Sequence, residues 1–288
     1  MITEKAAAKV NLNLQITGKR ADGYHLLSSL FVFTDFGDVL SFRESDEFKL
    51  KITGEFSPLL NVSQNLQKNS ITQAAKALAE LTGVACRAEI TLEKNIPVAA
   101  GIGGGTADAA AALKGLMKLW NVSLNTDKLQ NFLPSLGADV PACYAGKSVM
   151  VGGIGEILTA APTLPKNIPV LLVNPRKKVP TKNIFTLCDS NKSYSKPFVF
   201  RTKYNDVRTL AEDLHNTKND LLPAAESFCP DISLILRFLK EQDSIYSGMS
   251  GSGATCFALF ADNEALQKAA EQARKNFPEW WIKETFII

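Results

Sequence analysis

Histidine is scarce in this chain: His25 and His215 are the two present in 288 residues. That scarcity removes most mechanisms built on an imidazole base and leaves a carboxylate as the natural proton acceptor. Cysteine is little better represented. Cys86, Cys143, Cys188, Cys229 and Cys256 are odd in number and widely separated, without CxxC or Cys/His ligand spacing, and read as reduced, mostly core thiols. Charge of one sign is also missing, since 32 Lys plus Arg against 29 Asp plus Glu leave +3, with the basic residues spread along the chain. This argues against nucleic acid as the main partner. The clearest basic run, Arg176-Lys177-Lys178, reads as a solvated face or loop, with anion steering as a secondary role. No run approaches the roughly 18 apolar residues of a membrane span, and the first residues lack the basic start, apolar stretch and cleavage site of a secretory signal. The expected compartment is the cytoplasm, with no membrane partner. What remains is 45% apolar content, the composition of a globular protein with one large domain or two ordinary ones.

Period-2 patterns bounded by turns predict strands at 10–17, 27–33, 38–42 and 48–53, with a polar turn at 18–23. From Asn69, the spacing of Ile71, Ala74, Ala75, Leu78 and Leu81 predicts a helix that stops at Gly83. A strand at 88–92, a glycine-rich loop and an alanine-rich helix at 106–119 follow, the helix burying Ala109, Ala110, Leu113, Leu116 and Met117. A shorter helix at 126–133 leads into Leu136-Gly137-Ala138-Asp139-Val140-Pro141. Strand-like pieces at 146–158 surround Gly152-Gly153-Ile154-Gly155, which reads as a hairpin turn. Pro162, Pro165 and Pro169 mark a connector, and the chain divides into domains 1–160 and 161–288. The second domain predicts a strand at 169–173, helices at 184–188, 221–228, 232–239 and 264–275, and strands at 255–259 and 280–287. With no internal repeat, the fold class is α+β.

The most informative stretch is Pro97-Val98-Ala99-Ala100-Gly101-Ile102-Gly103-Gly104-Gly105-Thr106-Ala107, between a strand and a helix. Successive glycines let backbone N–H groups approach an anion, and the helix start behind them adds unpaired donors and a favourable dipole. A lone GxG is more often a tight packing turn; three adjacent glycines followed by Thr106 point to phosphate. A Walker A loop would end in Gly-Lys-Ser/Thr, and a Rossmann loop would carry glycine at position 106 and an acidic residue about twenty positions on. Neither is present.

Pro-x3-Gly-Ile/Leu-Gly-Gly-Gly-Ser/Thr resembles the nucleotide loop of the GHMP kinases, and the likeness extends over the whole chain. Gly248-Met249-Ser250-Gly251-Ser252-Gly253 is similar to the C-terminal glycine loop of that superfamily; alone it would read as a flexible turn. The resemblance implies a two-domain GHMP kinase fold, with an N-terminal ribosomal S5 domain 2-like part and a C-terminal α/β sandwich. It also implies ATP as phosphoryl donor and Mg²⁺ bound with the nucleotide. Gly137-Ala138-Asp139-Val140-Pro141 is similar to the segment that carries the catalytic aspartate, and Lys9, in Ala8-Lys9-Val10-Asn11, to the lysine that pairs with it. Read alone, Asp139 is a helix or turn cap and Lys9 a snorkelling edge-strand lysine. Residues 97–107 would hold ATP, joined by Asn69, which is also placed as an ordinary N-cap. Thr106 would reach a phosphate oxygen or the metal, or cap its helix. Ala107 replaces a second hydroxyl found in relatives, and the role of Asp108 is left open.

Thr17-Gly18-Lys19-Arg20-Ala21-Asp22-Gly23-Tyr24-His25 resembles the signature of one branch, the kinases of diphosphocytidyl-methylerythritol, with Ala21 in place of a proline. Thr34-Asp35-Phe36-Gly37-Asp38 and the segment at Asn219-Asp220 fit the same branch. Cytosine recognition asks for an aromatic face and a group that bonds the Watson–Crick edge. Tyr24 and His25 supply these, Phe185 is the candidate second aromatic, Thr181 lies near the diphosphate or sugar, and Asn11 faces the acceptor or the transferring phosphate. Without the signature, Tyr24 and His25 read as a hairpin packed on a sheet. The implied reaction is ATP-dependent phosphorylation of a 2-hydroxyl on a small-molecule acceptor, by a monomer or weak homodimer. The alternatives are a mevalonate-type or homoserine kinase, or a regulatory protein on the same fold.

Overall fold

The computed structural model describes residues 1–60, 66–188 and 193–288. The chain runs through β1 (Ile2–Asn11), β2 (Gln15–Lys19), β3 (His25–Arg43), β4 (Phe48–Thr53), α1 (Ser70–Thr82), β5 (Ala88–Glu93), α2 (Gly104–Leu119), α3 (Thr126–Phe132) and α4 (Val140–Ala145). It continues with β6 (Val149–Gly152), β7 (Ile157–Ala160), β8 (Ile168–Asn174), α5 (Thr181–Cys188), α6 (Val207–His215), α7 (Leu222–Phe228), α8 (Asp231–Lys240), β9 (Tyr246–Met249), β10 (Cys256–Leu259), α9 (Asn263–Asn276) and β11 (Trp281–Ile287). These residues group into two compact units, each drawing on three stretches of chain. The first holds Met1–Ala8, Gly37–Val98 and Gly103–Gly146, the second Lys9–Phe36, Ala99–Ile102 and Lys147–Ile288.

In the first unit β4 pairs parallel with β5, and β5 pairs antiparallel with the end of β3, from Val39 opposite Glu93 to Arg43 opposite Glu89. Helices α1 and α2 pack on each other. The alanine run of α2 is buried, and a Cβ on Gly115 would stand 2.2 Å from the Phe42 ring. Glycine there lets the helix lie close on the sheet. The caps of α1 are those its sequence predicts: the Asn69 side chain accepts from Ile71 N at 2.9 Å, and Gly83 closes the helix in the left-handed conformation at φ 72°. Two residues of the expected buried faces depart from them. Leu81, in the last turn of α1, is 44% exposed, and Met117 is only half-buried.

In the second unit β8 lies between β11 and β10, antiparallel to both, and β9 follows β10. The N-terminal part of β3 carries β2 as a hairpin partner, and Ser29, Leu30 and Phe31 pair with β6, which turns back into β7 through the glycine-rich hairpin. Helices α7, α8 and α9 bury Ala225, Ile232, Ile235, Leu266 and Ala270 against Leu171 and Ala258 of this sheet.

Several predicted boundaries shift for identifiable reasons. The strands expected at 27–33 and 38–42 are one strand, because the turn-like residues between them find partners in place. Asp35 Oδ1 accepts from Phe286 N at 2.9 Å and from the Thr285 hydroxyl. Strand β1 begins at Ile2, eight residues earlier than its apolar run suggested, with alternate exposure along its first half. Helix α6, which was not predicted, has an Asp206 cap bonded to Thr209 N at 2.9 Å and buries Val207, Leu210, Ala211 and Leu214 at helical spacing. Strand β9 is four residues long and contains Gly248, too short for a period to register.

Candidate active site

In the second unit Lys9 ends up 4% exposed near the end of β1, which excludes a snorkelling edge lysine. Its Nζ donates to Asn11 Oδ1 at 2.8 Å and lies 4.3 Å from the Phe31 ring centre. The two residues share a strand face, as their i, i+2 spacing requires. Asn11 is held in turn by the Ser29 hydroxyl, to which its Nδ2 donates at 3.0 Å, and its backbone N donates to Ser250 Oγ at 3.0 Å.

Ser250 lies in the segment expected to be a second glycine loop, residues 248–253. Its hydroxyl donates to Gly101 O at 3.0 Å, Thr255 N donates to Ala100 O at 3.1 Å, and Lys9 N donates to Ile102 O at 3.1 Å. Gly101 has φ 78°, and a Cβ on it would stand 2.5 Å from Ser250 O and 2.6 Å from Gly253 O. Residues 99–102 are therefore wedged between β1 and the 250–255 turn, with no room for a side chain at Gly101. Asn219 Nδ2 donates to both Met249 O and Gly251 O at 2.8 Å. The Ser-Gly-Ser-Gly run is thus a bonded scaffold instead of a flexible turn, and Ser250 and Asn219 are its organisers. The sequence had named Asn219 only as a branch marker.

The same turn meets the expected acceptor residues. Thr181 Oγ1 and Ser252 Oγ are 2.9 Å apart. One turn further along α5, Phe185 stacks on His25 with ring centres 5.1 Å apart and planes 30° apart. The second aromatic is therefore brought to His25. Tyr24, in contrast, is 61% exposed, at the end of a turn closed by Gly23 N donating to Arg20 O at 3.0 Å and by an Arg20–Asp22 ion pair at 2.6 Å. Ala21 occupies the second position of that turn, where proline is favoured, and the ion pair and hydrogen bonds hold the turn without it.

In the first unit the glycine loop becomes the start of α2. The cap is Gly103, in the left-handed conformation at φ 70°, so Thr106 is not the N-cap. It lies one turn inside the helix, and its hydroxyl donates to Gly103 O at 3.0 Å. Gly104, Gly105 and Thr106 present first-turn N–H groups that have no acceptor within a helix. The Ser70 hydroxyl, at the start of α1, is 3.7 Å from where a Cβ of Gly105 would be. Two helix N-termini therefore meet at Gly105, and their dipoles add where an anion would sit. Asn69 is an N-cap by geometry, which leaves its amide NH₂ for a ligand.

Asp139 is half-buried and stands at the start of α4 without capping it. Pro141 sits in the first turn of α4, where its missing N–H costs nothing. The preceding Gly137 abuts Thr106, whose methyl is 3.4 Å from the place of a Gly137 Cβ. The Asp139 turn and the start of α2 are thus neighbours. Lys9 belongs to the second unit and Asp139 to the first.

A buried cluster in the first unit was missed. Lys94 Nζ is 2.5 Å from Asp38 Oδ2 and 2.7 Å from Asp108 Oδ2. Burial carries the Asp108 carboxyl above the usual range, with Asp38 adding to the rise against the pull of Lys94. Burial works against the Lys94 charge too, yet the two carboxylates outweigh it and hold the ammonium above its ordinary value. The one signal in the sequence was a lysine directly after a strand, with the buried Leu92 and Ile96 two residues to either side.

Comparison with known proteins bears on this geometry. Residues 69–147 match the family described as GHMP kinases N terminal domain, and residues 199–279 match GHMP kinases C terminal. The chain is 43% identical over 279 residues to the 4-diphosphocytidyl-2-C-methyl-D-erythritol kinase of Paramagnetospirillum magneticum, covering 96% of this chain and 95% of that one. It is 42% identical over 288 residues to the enzyme of the same name from Rhodospirillum rubrum, covering 100% and 93%. Among solved structures, a 4-(cytidine 5'-diphospho)-2C-methyl-D-erythritol kinase superposes with a TM-score of 0.79 at 27% identity over 100% of both chains. A homoserine kinase from Cytophaga hutchinsonii superposes with a TM-score of 0.66 at 20% identity, over 98% of this chain and 95% of that one, a likeness of fold alone.

Proposed function

Because the chain belongs to the 4-diphosphocytidyl-2-C-methyl-D-erythritol kinases, a branch of the GHMP kinases, we propose that its side chains divide that reaction among themselves as follows. The chain is an ATP-dependent small-molecule kinase of the non-mevalonate isoprenoid route, and its acceptor is the 2-hydroxyl of the cytidyl compound. The observation that carries this reading is 43% identity over 96% of the chain.

Phosphoryl transfer to an alcohol asks mainly for alignment and charge neutralisation. In the proposed division Asp139 takes the proton of the acceptor hydroxyl while that oxygen bonds to the γ-phosphorus and the bridging β–γ bond breaks to release ADP. Lys9 keeps Asp139 ionised and orients the hydroxyl, with Asn11 beside it; the 2.8 Å bond between Lys9 and Asn11 supports their acting together. Residues 97–107 and the NH₂ group of Asn69 hold ATP, supported by the meeting of two helix N-termini at Gly105.

Among the described residues no group of three or more His, Cys, Asp or Glu could hold a metal. The Thr106 hydroxyl, which donates to Gly103 O and retains acceptor capacity, fits a hard cation that keeps most of its ligands from water and phosphate. Magnesium would enter with the nucleotide, with Thr106 as its protein contact, and would neutralise charge on the phosphates. We further propose a domain boundary at 160/161, supported by family matches that end at 147 and begin at 199, a cytoplasmic location, and a monomer or weak homodimer. No described helix is long and apolar enough to cross a membrane.

The cytosine pocket is assigned to His25, Phe185 and Tyr24, with Thr181 toward the diphosphate or sugar. Truncating the stacked ring tests it. Phe185→Ala is expected to raise KM for the cytidyl acceptor by about tenfold or more, since a base–aromatic stack contributes roughly 1–3 kcal/mol, with KM for ATP unchanged. Steady-state kinetics with each substrate varied in turn would read this. A rise in KM for ATP alone would remove Phe185 from the acceptor pocket.

A further inference from the structure

The buried cluster around Lys94 is tied to the stems of the glycine loop, and its two carboxylates do different things. Asp38 Oδ1 accepts from Asn95 N at 2.6 Å and from Ile96 N at 2.8 Å, so it grips the two residues that lead into Pro97. Asp108 stands one turn into α2, and its Oδ1 has no hydrogen-bond partner among the described residues. The ammonium of Lys94 is what its other oxygen meets. Lys94 Nζ also lies 3.1 Å from where a Cβ of Gly104 would be. One side chain, itself 3% exposed, therefore reaches both stems of the loop, the strand exit at 95–96 and the first turns of α2.

An ion cluster of this kind is a poor source of stability. Removing three charged groups from water offsets most of their attraction, and apolar side chains of like volume often serve a core as well or better. What such a cluster supplies is fixed direction and distance, because each bond is short and each partner has one place to be. The geometry points to Lys94 as a positioning residue for the nucleotide, a staple that holds the two stems of the 97–106 loop in register through Asp38 and Asp108. This rests on reading that loop as the nucleotide loop. The staple keeps the N–H groups at the start of α2 at the spacing that phosphates need.

Asp108→Ala detaches the α2 stem and leaves the Lys94–Asp38 pair intact. It is expected to raise both the Kd and the KM for ATP by about ten- to hundredfold, the scale of a small misplacement of binding groups, with KM for the cytidyl acceptor unchanged. Asp108→Asn, whose amide oxygen still accepts from Lys94, is expected to recover most of the lost ATP affinity. A merely structural Asp108 would instead lower Tm, shift both KM values alike or neither, and show no recovery of ATP affinity with asparagine; that pattern overturns the staple.

Gly105→Ala separates the staple from the loop reading beneath it. The nearest protein atom to a Cβ there is Ser70 Oγ at 3.7 Å, so alanine fits the fold and, as a better helix former, raises Tm slightly. ATP affinity falls only if phosphate uses that space. If Gly105→Ala weakens ATP binding and Asp108→Ala does not, the staple is wrong while the loop reading stands. If neither weakens it, both are wrong.

Discussion

Replacing Asp139 with asparagine is expected to lower kcat by about 10²–10⁴-fold, the usual contribution of a positioned general base, with little change in KM for either substrate. The side chain starts α4 without capping it, so the substitution removes no capping bond, and asparagine keeps its size. What is lost is the capacity to take the acceptor's proton and the negative charge of the carboxylate. The transition state of phosphoryl transfer is loose, with bond making and proton removal both incomplete. For that reason the loss belongs at the lower end of the range if Asp139 acts mainly as a charge, and at the upper end if it is a full base. Single-turnover measurements with saturating ATP would isolate the chemical step, and a variant that keeps most of its kcat would end the base assignment.

Lys9→Met carries the second large effect. Methionine replaces the apolar stem but removes the ammonium that lies over the Phe31 ring. The bond at 2.8 Å to Asn11 Oδ1 disappears, while Asn11 Nδ2 keeps its bond to the Ser29 hydroxyl and Asn11 N its bond to Ser250 Oγ. If the ammonium stabilises charge that grows in the transition state, kcat falls by about 10²–10³-fold, as when a preorganised donor is removed, and at least as severely as binding weakens. A rise in KM with kcat unchanged would mean that Lys9 contributes uniform binding alone and is a positioning residue.

The parts of this site that were legible in the sequence are those whose physics is local. Asn69 and Gly83 announce the ends of α1 because capping and left-handed backbone are properties of single residues. The glycine loop announces itself because three glycines between a strand and a helix have few other uses. The proposed catalytic pair was legible through resemblance only, since neither Lys9 nor Asp139 has a local pattern that separates it from a buried strand lysine or a turn aspartate. The Lys94 cluster was legible only as a lysine placed directly after a strand, with nothing to name its partners. Asp38 lies 56 residues from Lys94 along the chain, and no periodicity connects a strand aspartate to a lysine after another strand. The continuity of β3 was hidden for the same reason, because its turn-like middle is stabilised by Thr285 and Phe286 at the far end of the chain. A linear division could not express the two compact units either, since β1, β3 and the glycine loop each supply residues to both.

The proposed cytosine pocket occupies an intermediate position. The Gly23-Tyr24-His25 signature and Phe185 were read as parts of one pocket, and the structure brings one of the two signature rings to Phe185. Its partner proved to be His25, with Tyr24 pointing outward from a turn that Arg20 and Asp22 hold together. Sequence spacing places residues on a hairpin but does not say which of two adjacent side chains turns inward.

The most direct test is to measure ADP formation by the purified protein with ATP and magnesium, offering in separate reactions the diphosphocytidyl-methylerythritol acceptor, free methylerythritol phosphate, mevalonate and homoserine. Turnover confined to the cytidyl compound is the predicted result. Turnover on mevalonate or homoserine, or none on any of the four from a protein that still binds ATP, would contradict it.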